Sequence, residues 1–132
     1  MHFGELDGQP LELVRAVYAD LLRLDESLDE DFSWPGGESR NSFTARVRAV
    51  IDRIAAAHPG QAVAVVTHGG VISTFLTIVH GQPPGLWREW LVSNASLTEV
   101  AWDPAAGAGA LLRRGDDDHL AELLAEEVDA PG

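Results

Sequence analysis

Val63-Ala64-Val65-Val66-Thr67-His68-Gly69-Gly70 is the stretch on which the fold reading turns. An apolar run ends in one histidine, two glycines follow, and a second apolar pattern runs from Val71 to Val79. An unbroken apolar run without alternation predicts a strand over 62–67 that is buried on both faces of a parallel sheet. His68 then stands at the strand's carboxyl end, the edge at which open α/β sheets bind ligands. The glycines let the backbone approach a ligand closely. The helix predicted over 70–79 points free N–H groups and its positive dipole end at the same spot. One imidazole beside a helix start suits an anion, and phosphate in particular.

Length and composition set the outer bounds. The chain has 132 residues, which predicts a single domain over 1–132. A net charge of −12 argues against nucleic acid or an anionic membrane surface as a partner. It also requires that any bound phosphate find a local positive pocket. There is no cysteine, which excludes a disulfide framework, thiolate catalysis and the Cys-bearing zinc sites. His68 and His119 are far apart and no His-Glu-x-x-His spacing occurs, so neither a metal nor another cofactor is expected. The N-terminus Met-His-Phe-Gly-Glu-Leu has neither the basic nor the apolar region of a signal peptide. The apolar run at 71–79 is too short to span a bilayer, so a cytoplasmic location is the expectation.

Working outward, Pro10 followed by Leu13, Val14, Val17, Leu21 and Leu24 predicts an amphipathic helix with Pro10 in its first turn. Residues 25–31 form an acidic loop, and Ser33-Trp34-Pro35-Gly36-Gly37 breaks structure. Over 39–57, Phe43, Val47, Val50, Ile51 and Ile54 recur at helical spacing, with Arg46, Arg48 and Arg53 mostly off that face. His58-Pro59-Gly60 ends this helix. Gln82-Pro83-Pro84-Gly85 starts a loop carrying Trp87 and Trp90. Two strands over 96–102 and 110–114 form a loose hairpin through Asp103-Pro104, and a last helix covers 116–128. This is an α/β order with too few strands. A parallel strand at 62–67 needs neighbours on both sides, and the chain offers at most the hairpin pair.

Five segments in this order resemble the histidine phosphatase superfamily in its phosphoglycerate-mutase-like branch. His2-Phe3-Gly4-Glu5-Leu6-Asp7-Gly8 is similar to the family's H-[FLY]-G-x-x-x-G. Pro35-Gly36-Gly37-Glu38-Ser39 is similar to the turn that opens a long helix. Val65-Val66-Thr67-His68-Gly69-Gly70 resembles the segment of the second catalytic histidine. Asn94-Ala95-Ser96-Leu97-Thr98 resembles the strand that follows it, and Gly115-Asp116-Asp117-Asp118-His119-Leu120 the closing motif. His-Gly-Gly alone is weak; five pieces in order over nearly the whole chain are strong. The resemblance implies an α/β fold, here an incomplete three-layer sandwich of the phosphoglycerate mutase-like kind with N-terminal strands missing. It implies phosphoryl transfer through a phosphohistidine to water or another hydroxyl. The family's Arg-His-Gly segment, which bears the nucleophile, occurs nowhere in these 132 residues. The second pocket arginine has no counterpart, and the glutamate acid would fall one place before Met1.

The resemblance therefore carries over His68 as the catalytic position, Gly69 as a backbone donor to phosphate and His2 as a residue near the pocket. Structural roles compete with each. Gly69 can answer a steric need alone, and His2 sits at a chain end where fraying is usual. Glu38 is read as capping or orienting the adjacent helix, His58 and His80 as helix-end residues, and His119 as a structural match. Arg46, Arg48 and Arg53 are read as a solvated face, and Trp87 and Trp90 as packing. An α/β-hydrolase reading fails, because no G-x-S-x-G elbow occurs. The expected protein is a phosphatase in preference to a mutase. It would take a small phosphorylated molecule or inorganic phosphate, be inactive as this chain alone, and associate with itself as a homodimer or larger species. The competing class is a non-catalytic remnant that binds an anion or a partner chain.

Overall fold

The computed structural model describes residues 1–25 and 32–121. It is a mixed α/β arrangement of α1 (Leu11–Val17), α2 (Ala19–Asp25), α3 (Arg40–Ala57), α4 (Gly69–Val79), β1 (Leu97–Asp103) and β2 (Ala108–Asp116). Short 3-10 helices cover Gly4–Leu6, Pro84–Trp90 and Asp118–Leu120. Residues 26–31 of the expected acidic loop and 122–128 of the expected last helix lie outside the described residues; Asp25 ends α2, Asp116 ends β2, and Asp118–Leu120 form a 3-10 turn in place of the start of an α-helix.

The local predictions held where one segment decides its own structure. α3 starts where Ser39, extended at φ −72° and ψ 159°, accepts a hydrogen bond from the Ser42 amide at 3.2 Å. It ends at His58, and Gly60 follows at φ +69°. The predicted first helix is two pieces, α1 and α2, kinked at Tyr18 (φ −116°, ψ 30°). Bonds from Tyr18 N–H to Val14 O and from Leu22 N–H to Tyr18 O still bridge the kink. β1 and β2 pair antiparallel as the expected hairpin, and Asp103 Oδ1 accepts from the amides of Ala105 and Ala106 to shape its turn.

The central strand did not form. Residues 61–68 belong to no helix and no strand, and the described sheet consists of β1 and β2 alone. Val63 is 44%, Val65 48% and Val66 100% exposed. A strand exists through its ladder: its backbone donors and acceptors need extended neighbours. The only described strands pair with each other. An apolar cleft of about 710 Å³ instead separates this segment from its surroundings, lined by Ile51, Ile54, Val65, Phe75, Val100 and Trp102 among others.

Two packed regions remain. Leu6, Val14, Phe32 and Trp34 form one core, with Tyr18, Leu21 and Leu22 against it. The other surrounds α4, where Leu76, Ser73 and Thr77 are fully buried between α3, the 3-10 helix Pro84–Trp90 and β2. The hydroxyls pair at once: Ser73 Oγ donates to Gly69 O (2.8 Å), and Thr77 Oγ1 to Thr74 O (2.7 Å).

The first core is joined to α3 by a close backbone crossing. Glu5 N–H donates to Pro35 O at 2.9 Å, and Glu38 N–H to His2 O at 2.9 Å. Gly4 has φ +63°, and a Cβ there would lie 2.2 Å from Pro35 O. A Cβ on Gly37 would lie 2.9 Å from His2 O. Both positions need glycine, the first for two reasons. Gly4→Ala is therefore expected to destabilise the chain by about 2 kcal/mol or more, combining backbone strain with displacement of the crossing. Urea unfolding followed by circular dichroism checks this; an unchanged midpoint would contradict it.

The exposed valines generate a second expectation. Val66, fully exposed, forgoes about 1.5–3 kcal/mol relative to full burial, and the half-exposed Val63 and Val65 roughly half of that each. No Asp, Glu, Lys or Arg occurs from 54 to 87, so the net charge is carried elsewhere along the sequence. Light scattering at micromolar concentration is expected to show species heavier than the 14.2 kDa monomer. A single monomeric species with cooperative unfolding would contradict self-association.

Candidate active site

His68 is the N-cap of α4, extended at φ −84° and ψ 150°. Its carbonyl accepts from the amides of Val71 (2.9 Å) and Ile72 (3.2 Å), and its ring makes no capping bond. The backbone work of starting the helix thus falls to the main chain, and the imidazole is left to line a cavity of about 530 Å³. This cavity forms where the first turns of α3 and α4 meet. Arg40, Phe43 and Thr44 come from α3; Gly70, Val71 and Thr74 come from α4. Phe3 and Trp34 close one wall, and Trp87 and Arg88 another.

Two of the three sequence-nominated residues stand differently from His68. Gly69 starts α4 but does not line the cavity; the neighbouring Gly70 does. The steric role weighed for Gly69 has little force within these residues, because an added Cβ would meet only Val92 O, at 4.0 Å. His2 turns its ring into its own turn: Nδ1 accepts from the Gly4 amide at 3.2 Å, and Nε2 lies 3.3 Å from Asp7 Oδ2. Met1 and Phe3, on either side of it, line the cavity in its place.

Glu38 does not cap α3, a task that Ser39 performs. Its carboxylate takes a two-pronged bond from Arg46, Nε to Oε1 and Nη2 to Oε2, both at 2.9 Å, and accepts from the His2 amide at 3.3 Å. Arg46 lies on the solvent-exposed side of α3, as read, and also anchors Glu38. The Arg46 hydrogen bond, opposed by burial and aided by the His2 amide, holds the Glu38 carboxyl below its ordinary value of 4.5. Arg48 is likewise engaged, donating to Gly107 O at 3.2 Å and lying over the Trp102 ring.

The remaining histidines take structural places. His80 ends α4 and stacks on Trp90, with ring centroids 4.0 Å apart and planes 9° from parallel. Arg114 covers Trp90 as well and donates to the carbonyls of Glu89 and Leu91. His58 ends α3 beside Gln61, and His119 lies exposed in the 3-10 helix Asp118–Leu120. Of the two tryptophans read as packing, Trp90 packs and Trp87 lines the cavity.

The sequence reading missed Arg40, Thr44 and Arg88. Arg40 is 3% exposed and lies over the Phe32 ring at 5.0 Å. Arg88 is exposed and lies over the Trp87 ring at 4.5 Å. One signal was available: Arg40 and Thr44 are four apart on the first turn of a helix whose start was already placed.

The profile described as "Histidine phosphatase superfamily (branch 1)" matches residues 1–115. The chain belongs to this superfamily. It is similar to "Uncharacterized phosphatase PhoE" of Bacillus subtilis (strain 168), at 28% identity over 104 residues, which cover 76% of this chain and 48% of that one. It is also similar to the solved structure titled "Mycobacterial hydrolase 1", with a TM-score of 0.68 and 26% identity, over 87% of this chain and 59% of that one. The fold is thus the phosphoglycerate mutase-like α/β fold of the family, and the chain spans about half the length of the curated relative it matches. Among the described residues no helix is long and apolar enough to cross a membrane.

Glu38→Gln is expected to cost about 1–2 kcal/mol at neutral pH, because a charge-assisted two-pronged bond is weakened. The carboxyl is depressed on folding, so its contribution is present above the unfolded value and is lost as pH falls through the folded value. Wild type and variant should therefore differ fully near neutral pH and begin to converge once pH falls below the ordinary Glu value of about 4.3. Unfolding midpoints measured from pH 7 to pH 3 check this; a constant difference across the range would contradict it.

Proposed function

We propose that the His68 cavity is the phosphate-binding part of a phosphomonoesterase site, with His68 as the imidazole that donates to the phosphoryl oxygens. The observation that carries the reading is the place of His68, at the start of α4, lining a cavity with Arg40 and Arg88 and, among the described residues, no carboxylate. Imidazole, guanidinium and helix-start amides are the groups that stabilise charge developing on a transferring phosphoryl group. The Gly69 amide stands at the same helix start, and His2 acts from the side by holding the Gly4 turn. Hydrolysis is favoured over mutase chemistry, in keeping with the words phosphatase and hydrolase in the relatives' names.

These residues supply only part of such a reaction. Phosphoryl transfer through histidine needs a nucleophilic imidazole held in line with the leaving oxygen, and an acid to protonate that oxygen. Among the described residues His68 is the one histidine lining the cavity, and none of the others there is an acid. The same observation favours a second reading, in which these 132 residues bind an anion without turning it over.

The purified chain is accordingly expected to hydrolyse p-nitrophenyl phosphate at or near the uncatalysed rate, since groups that act as one unit lose most of their effect together. Robust turnover that disappears in His68→Ala would contradict this and show that the described residues hold a complete site.

A further inference from the structure

We propose that this site takes the phosphomonoester of an aromatic alcohol, its ring lying among Phe3, Trp34, Phe43 and Trp87 while its phosphoryl group meets His68. The inference rests on the phosphate-site reading of His68 and adds the class of ester that the rest of the cavity fits.

The cavity encloses about 530 Å³, far more than a bare phosphate fills and within the range of pockets that hold a whole organic ligand. Two of the chain's four phenylalanines and two of its four tryptophans line it. They arrive from four separate places: Phe3 from the N-terminal segment, Trp34 from the turn before α3, Phe43 from α3 and Trp87 from the 3-10 helix Pro84–Trp90. Met1, Val71 and Pro84 add further apolar surface. Trp34 and Phe43 are buried, and so are held in place by their packing. Phe3 is 45% exposed and Trp87 half-buried, so ring surface at the cavity stands open to water. A ligand that covers it removes that surface from water, and a ring adds edge and face contacts to the rings already there.

A sugar or polyol phosphate fits the same walls less well. Among the described lining residues other than His68, the neutral side chains able to pair with its hydroxyls are Thr44 and Thr74. Thr74 is 5% exposed, and its Oγ1 already donates to Gly70 O at 2.8 Å. Arg40 and Arg88 lie over the Phe32 and Trp87 rings and have further partners of their own. Hydroxyls enclosed here give up water without regaining their hydrogen bonds, which costs affinity. An aryl group carries no such penalty.

The test is calorimetric titration of the chain with inorganic phosphate, phenyl phosphate and glycerol 2-phosphate, at constant ionic strength and at a mildly alkaline pH where both esters are dianions. Phenyl phosphate is expected to bind about ten- to a hundredfold more tightly than glycerol 2-phosphate. His68→Ala should weaken inorganic phosphate and phenyl phosphate alike, by about tenfold or more. Phe3→Ala and Trp87→Ala should each weaken phenyl phosphate about three- to tenfold and inorganic phosphate by no more than about twofold. If circular dichroism shows that Trp87→Ala does not fold, Phe3→Ala, at an exposed position, carries the comparison alone. Equal binding of the two esters, both dependent on His68, would overturn the aromatic class and leave the phosphate reading standing. A preference for phenyl phosphate that neither Phe3→Ala nor Trp87→Ala reduces would overturn the assignment of the ring to these walls. No saturable binding of any of the three, or binding indifferent to His68→Ala, would overturn the phosphate reading and the ester class with it.

Discussion

The crossing of the N-terminal segment over the Pro35–Gly37 turn is the constraint on which the described structure depends. Two backbones meet there with no room for a Cβ at Gly4 or Gly37, tied by bonds from the Glu5 and Glu38 amides. The Glu38 carboxylate then links the His2 amide to Arg46, two turns along α3. Three pieces of chain that share no regular secondary structure are thereby fixed against one long helix. Leu6 is carried into the core beside Trp34, and Phe3 is carried to the wall of the His68 cavity.

The cavity is the joint product of that crossing and of α4. Ser39 caps α3 so that Arg40, Phe43 and Thr44 face inward on its first turn, and His68 caps α4 through its backbone so that its ring is available. The buried hydroxyls of Ser73, Thr74 and Thr77 satisfy themselves on α4 carbonyls, and Ser73 also reaches Trp90 O at 3.0 Å. That last bond fixes the 3-10 helix Pro84–Trp90 against α4 and so positions Trp87 and Arg88 at the cavity mouth. The shape of this cavity therefore depends on backbone docking some distance from the imidazole.

What could be read in the sequence follows the range of the forces involved. α3, α4 and the hairpin are set by neighbours within a few residues: Ser39 and the Phe43-Val47 face, the apolar run after Gly70, and the Asp103 turn. These elements were legible to within a residue or two at most ends. The strand over 62–67 was not realised, because a strand is completed by partners distant in sequence and the described residues offer none. His68 was legible as a candidate because a histidine, two glycines and a helix start make an unusual local combination. The place of Arg40 in the cavity lining was not legible, because nothing beside Ser39 tells which way its side chain turns. His2 and Gly69 were nominated from motif matching, and the direction of the His2 ring is set by Asp7 and the Gly4 amide, which motif matching does not weigh.

A crystal structure of the chain with tungstate, an electron-dense analogue of phosphate, tests the central claim most directly. The account predicts one strong tungstate peak in the cavity between the first turns of α3 and α4, with an oxygen within about 3.2 Å of a His68 ring nitrogen. A peak bound elsewhere with this cavity empty, or a His68 ring turned out to solvent and making no contact with the anion, would contradict it.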